Sequence, residues 1–353
     1  MPQESYRRQA KSSRKRSPLV RSILLLLAAY VVLFALLAAT APNFLSVLNL
    51  MNILREVSMV AIIGVGMTMV IVAGEIDLSV GSLAALSGVV LAYMTANWGW
   101  PLVITLPLTV LLGMLAGLFI AALRIIFRIP SFITSLALLT GLSSAAFLIT
   151  SGYPIGPMPI GFTQLANGNL GVIPWPVAIM VIVYVVGWLA MTQTPWGRSI
   201  YAVGGNEEAA RLSGISVPWI KISVFLCSSG LAAFAGVLLV SRLNSGTPTV
   251  AQGWELDVIA AVIIGGTSLF GGAGSVLGTL LGAVFMTTLQ TGMVLLGVSP
   301  YSQGLVSGIV IVIAVLAGAI RIPAGWRRSA DPGAAPAPAT ARLGKGASKP
   351  TGG

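Results

Sequence analysis

Four carboxylates stand out because each is surrounded by apolar residues. They come as two copies of one spacing, Glu75-Ile76-Asp77-Leu78 and Glu255-Leu256-Asp257-Val258. Each copy leads into small residues, Ser79-Val80-Gly81-Ser82 in the first and Ile264-Gly265-Gly266-Thr267 in the second. A carboxylate at mid-membrane costs about 2.5–3.5 kcal/mol on the insertion scale, so acids kept there line a pathway or couple protons. The other use for such an acid is at a helix N-terminus near the interface, where the helix dipole favours negative charge. Both readings stand for Glu75 and Asp77. For Glu255 and Asp257, which charge counting puts near the outer face, the helix-terminus reading is favoured. Gly74, Ser79, Gly265 and Gly266 mark where the helices around these acids break. The repeated pattern suggests two related halves, a theme of transporter folds.

A second cluster of charge falls between Thr192 and Val217, with the centre Gly204-Gly205-Asn206-Glu207-Glu208-Ala209-Ala210-Arg211-Leu212-Ser213-Gly214-Ile215. No Asp, Glu, Lys or Arg occurs from Ile129 to Gly197, whereas three charges then fall between Glu207 and Arg211. Buried together in hydrocarbon they would cost roughly 8–10 kcal/mol, so this stretch lies outside the bilayer. Its chemistry specifies a short helix. Asn206 is an N-cap residue, Glu207 and Glu208 occupy the first turn where the dipole favours them, and Ala209 to Leu212 are good helix formers. Gly214 is placed to end the helix in a left-handed conformation. A helix of two turns is marginal in water. Either a partner packs on its small Ala-rich face, or the segment is a solvated connector.

Composition sets what must hold these residues. Of 353 residues 56% are hydrophobic and only 8% charged, with a mean hydropathy of +0.95. An ordinary soluble domain is about 25% charged. Apolar runs long enough to cross about 30 Å of hydrocarbon recur, and the short alternating segments of a transmembrane barrel are absent. The fold class expected is all-α, a polytopic transmembrane bundle of about ten membrane helices that includes two broken or re-entrant regions. Six full spans is the alternative if both broken regions are re-entrant. The spans are predicted at 19–40, 52–73, 80–96, 101–123, 129–150, 174–191, 218–241, 275–297 and 302–320, with a broken region at 254–272. Residues 1–18 and 322–353 read as disordered cytoplasmic tails around a transmembrane domain over 19–321.

The net charge of +11 does not indicate nucleic acid, because the basic residues flank the apolar spans as the positive-inside rule requires. With both termini in the cytoplasm, only Arg55 and Arg242 of the 20 Lys and Arg fall on the outer side. That orientation puts the Thr192–Val217 stretch in the cytoplasm and the charge-free 151–173 loop outside. The chain has no His and one Cys, which removes His relays, the usual zinc sites and a disulfide framework. Gly265 to Ser275 is glycine-rich like a phosphate loop, but it has no Lys before Ser or Thr and follows no soluble strand. No cofactor site is expected in this chain. Gly113-x-x-x-Gly117, Gly278-x-x-x-Gly282 and Gly304-x-x-x-Gly308 are expected to let helices approach closely.

Three blocks then carry a resemblance. They are Gly66 to Ser82 with Gly74-Glu75-Ile76-Asp77-Leu78-Ser79 at its centre, Gly205 to Ile215, and Glu255 to Gly272. In this order they resemble the permease subunits of ribose/galactose/xylose-type sugar importers of the ATP-binding-cassette class, over about residues 20–320. The resemblance implies a non-catalytic inner-membrane subunit that passes a monosaccharide (pentose, hexose or related polyol). It implies as partners a second permease copy or paralogue, cytoplasmic ATPase subunits that use ATP and Mg, and a periplasmic sugar-binding protein. Glu208-Ala209-Ala210 followed by Gly214 is similar to the EAA-x-x-x-G pattern of such permeases. By that likeness Asn206, Glu207, Glu208, Ala209, Ala210, Arg211, Leu212 and Gly214 form the helix that docks on the ATPase. The alternative function is a secondary transporter that uses Glu75 and Asp77 for proton coupling.

Overall fold

The structure is a computed structural model, and it describes residues 18–320. The basic N-terminal segment and the tail expected beyond 321 lie outside the described residues. Among the described residues the chain is helical apart from loops and one two-stranded ribbon. Helix α1 (Pro18–Thr40) is followed by α2 (Val47–Val72), α3 (Val80–Ala92, continued by a π-helical turn at Tyr93–Asn97), α4 (Leu102–Ile126) and α5 (Ser131–Thr150). A short α6 (Gln164–Asn167) and the antiparallel ribbon β1 (Asn169–Leu170) and β2 (Ile173–Pro174) lead to α7 (Trp175–Gln193). Then come α8 (Pro195–Gly205), α9 (Glu207–Leu212), α10 (Val217–Leu243), α11 (Trp254–Ile264), α12 (Val276–Leu295) and α13 (Pro300–Ile320). Eight helices among the described residues are long and apolar enough to cross a membrane.

Two helices form the centre. From Val57 to Val72 helix α2 has no solvent face, and Met59, Ile62, Ile63, Met67 and Ile71 are fully buried along it. Helix α10 runs beside it and packs on α3 and α4. Close approach depends on missing side chains. Gly113 and Gly117 of α4 abut Ala233 and Phe225 of α10, Gly66 of α2 abuts Ser228, and Gly282 of α12 abuts Ala261 of α11. The third glycine pair expected to pack does not. Gly304 and Gly308 on α13 have nothing of this chain within 4 Å. Around the centre, α1, α4, α5 and α7 present Val31, Leu111, Leu148 and Ile182 outward, as helices bathed in lipid do.

The helix bounds follow the sequence reading closely except that α2 starts earlier, at Val47 rather than 52, and two further differences bear on the site. The Thr192–Val217 stretch holds two helices, because Thr194 caps α8 by accepting the Gly197 N–H at 3.0 Å and Pro195 starts it. The second broken region is shorter than a span. Helix α11 has 11 residues, about 16 Å of rise, and the chain reaches its start by folding back along α3. Gly246 packs on Gly88 and Ala92 of α3, and Ala251 lies against Gly81. The N-terminus of α11, with Glu255 and Asp257 in its first turn, is therefore recessed from the end of the bundle.

Candidate functional site

Loops from three parts of the chain meet at the α8–α9 end of the bundle. The break between α2 and α3 begins at Gly74, whose φ of +79° is the left-handed turn that glycine accepts without strain. Gly204 and Gly205 end α8, and Gly271 and Gly272 lie in the α11–α12 loop. The Gly272 N–H donates to Val72 O at 2.9 Å. A Cβ on Gly204 would collide with Val72 O, and one on Gly271 would lie 2.7 Å from Gly204 O and 2.9 Å from the Gly74 Cα. The three segments touch backbone to backbone. The Tyr201 hydroxyl of α8 adds a bond to Gly274 O at 3.0 Å.

A charge cluster runs beside this junction. Lys221, near the start of α10, is buried, and its ammonium donates to Glu207 Oε2 at 2.7 Å and forms an ion pair with Glu75 Oε1 at 2.8 Å. The Arg124 guanidinium at the end of α4 donates to the same Glu75 oxygen at 2.9 Å and lies 3.8 Å from Glu207. Glu75 is itself buried, so the two cations replace the hydration it has lost. Partial burial works to raise the Glu207 carboxyl. The Lys221 hydrogen bond and charge, with Arg124 and Arg211, outweigh it and hold Glu207 below its ordinary 4.5. Four elements are tied here: the α2–α3 break, the end of α4, the start of α10 and α9.

Helix α9 is built locally. The Asn206 side chain accepts the Ala209 N–H at 2.9 Å, Arg211 pairs with Glu208 one turn back, and Gly214 closes the helix at φ +85°. Its faces differ from the sequence expectation. Ala210 is 4% exposed and packs inward on this chain's own helices, whereas Leu212 is 80% exposed and Ala209 is also open. Trp219, at 60% exposed, lies just beyond on α10. The small Ala face is thus half used internally, and the outward face carries Ala209 and Leu212.

The other sequence-selected residues are placed as follows. Asp77 is fully buried and accepts from the Ser79 N–H (2.9 Å), the Ser79 hydroxyl (2.6 Å) and the Ser228 hydroxyl (3.4 Å). It ties the turn into α3 to α10. Gly265 packs on the backbone of Gly278, and Gly266 turns at φ +94°. Glu255 lies beside Gly81 of α3, apart from the Glu75 cluster. The proton-coupling alternative finds no support: Glu75 is held between two cations and Asp77 by three hydroxyl and amide donors. Sequence reasoning missed Arg124 and Lys221, which were counted only as topology markers. The available signal was a lysine five residues into a long apolar helix, with a carboxylate inside another.

A family profile described as "Branched-chain amino acid transport system / permease component" matches residues 49–315. The chain is 43% identical over 293 residues to the ribose import permease protein RbsC of Haemophilus influenzae, covering 82% of this chain and 90% of that protein. It is 41% identical over 295 residues to RbsC of Bacillus subtilis (81% and 89% covered). It is 34% identical over 337 residues to the xylose transport system permease protein XylH of Escherichia coli (78% and 86% covered). No solved structure gives a significant match.

Proposed function

The chain belongs to the ATP-binding-cassette importer permeases described by that family profile, and from this premise we propose that it passes a pentose such as ribose or xylose across the inner membrane. It is a multi-pass, non-catalytic subunit, and permeases of such importers work with an ATPase and a periplasmic binding protein. The sugar is inferred from relatives named for ribose and xylose that align over most of their lengths. Our reading places both termini in the cytoplasm and counts ten crossings, with α11 and its recessed approach loop together making one of them. The translocation path is formed by two permease chains.

In this reading α9 is the handle for the ATPase. The observation that carries it is the Glu207–Lys221–Glu75 chain, which supports a direct mechanical link from α9 to the α2–α3 break. Glycine packing supports a second link, through Gly204 and Gly205 to Gly271 and Gly272. The ATPase docks on Ala209 and Leu212, and its closure moves both broken regions together as the assembly passes between two states. Replacing Leu212 by Asp puts a charge on the docking face without touching the bundle, so the ATPase is expected to co-purify at least ten-fold less while the thermal midpoint is unchanged. Full retention of the ATPase by that variant would refute the docking role.

A further inference from the structure

A cavity of about 250 Å³ lies between α3, α5 and the loop that approaches α11. We propose that it is a station on the pathway for one neutral monosaccharide, held by hydrogen bonds with Ser82, Ser143, Gln252 and Glu255. This rests on the sugar-permease reading above and assigns it a site.

Size is the first argument. At about 30 Å³ per water the cavity holds roughly eight waters, and it falls below the range of about 300–1,000 Å³ used by larger ligands. That is the scale of one sugar ring. The lining is the second. Leu139 and Val250 give an apolar wall, while Ser82, Ser143, Gln252 and Glu255 give hydroxyl, amide and carboxylate groups. A sugar has the same division, with C–H faces and a hydroxyl rim. Glu255 forms no ion pair among the described residues, and its carboxyl group lines the cavity, where it can bond a sugar hydroxyl. With no cation in the lining, an anionic sugar phosphate is rejected.

The serines of α5 add an independent point. Thr140 and Thr150 satisfy their hydroxyls on their own helix, bonding Ala137 O and Ala146 O at 2.9 Å. Ser143 makes no side-chain hydrogen bond among the described residues, and it lines the cavity. Its hydroxyl is offered to whatever enters. The position also suits a pathway. Ser82 is three residues beyond Ser79, where the break tied to α9 ends, so movement of that break reshapes the cavity wall directly.

The test uses the full complex, with its ATPase and binding protein, in proteoliposomes supplied with radiolabelled D-ribose and D-xylose. Glu255→Gln keeps the shape and weakens the acceptor, Ser143→Leu fills the space, and Leu148→Ala on the lipid side of α5 is the control. Uptake is expected to fall at least ten-fold in the first two and to stay at wild-type level in the control. Stimulation of the ATPase by loaded binding protein is expected to persist in all three. Uptake within two-fold of wild type in both site variants would overturn the proposal, and so would loss of ATPase stimulation together with uptake, which marks a folding role. If the wild-type complex moves neither sugar, the sugar reading itself falls and takes this site with it.

Discussion

Lys221 makes the account at the scale of single residues most vulnerable to test. A buried ammonium is tolerated because it is ion-paired with both Glu75 and Glu207, and removing one member of such a group strands the other. Lys221→Met is expected to lower stability by about 3 kcal/mol, since breaking a buried pair costs about 3–5 kcal/mol and Arg124 still holds Glu75. The double change Glu75→Gln with Lys221→Met is expected to recover most of that loss, read as the thermal midpoint in detergent. Glu207 supplies a pH dependence whose sign is fixed by its depressed carboxyl. The folded value lies below the ordinary 4.5, so its stabilisation is present above pH 4.5 and is lost as pH falls through the folded value. The wild type is therefore expected to be more stable than Glu207→Gln at pH 7, and the gap is expected to close below pH 4.5.

Helix bounds were largely legible because each span is a long apolar run closed by Pro, Gly or charge, and hydrophobic length is a signal carried by local sequence. The prediction specific to this scale concerns the glycine junction. Gly204→Val forces a side chain into Val72 O, which is backbone and cannot yield, and overpacking of this kind costs about 1–3 kcal/mol. Gly304→Leu and Gly308→Leu meet no atom of this chain and are expected to stay within about 0.5 kcal/mol, measured by the same unfolding assay. What the sequence did not give away was pairing. The cap at Asn206 and the stop at Gly214 depend on neighbours a few residues off, and both were readable. The meeting of Gly74, Gly204 and Gly271 depends on three distant loops, and no local pattern encodes it. Ala210 shows the same limit: its small size suited an external partner or an internal one, and the fold uses it internally. The recess of α11 was hidden because a loop folded back along α3 has the same composition as one lying at the surface.

For the whole molecule, the junction and the ion pairs connect α9 to both broken regions, which is what the proposed coupling to an ATPase requires. In the proposed function the energy for transport comes from an ATPase partner docked on α9. The two broken regions hold different acids for different work. Glu75 is fixed in an ion-pair group near α9, while Glu255 faces an open cavity beside α3. In the functions proposed above, the first positions the moving loop and the second receives the sugar. The decisive measurement is sugar accumulation in proteoliposomes, comparing this chain alone with the complete complex, each under an imposed proton gradient or with trapped ATP. The account predicts ribose or xylose accumulation only in the complete complex and only with ATP, unchanged by an uncoupler. Accumulation by this chain alone, driven by the proton gradient without ATP, would contradict it.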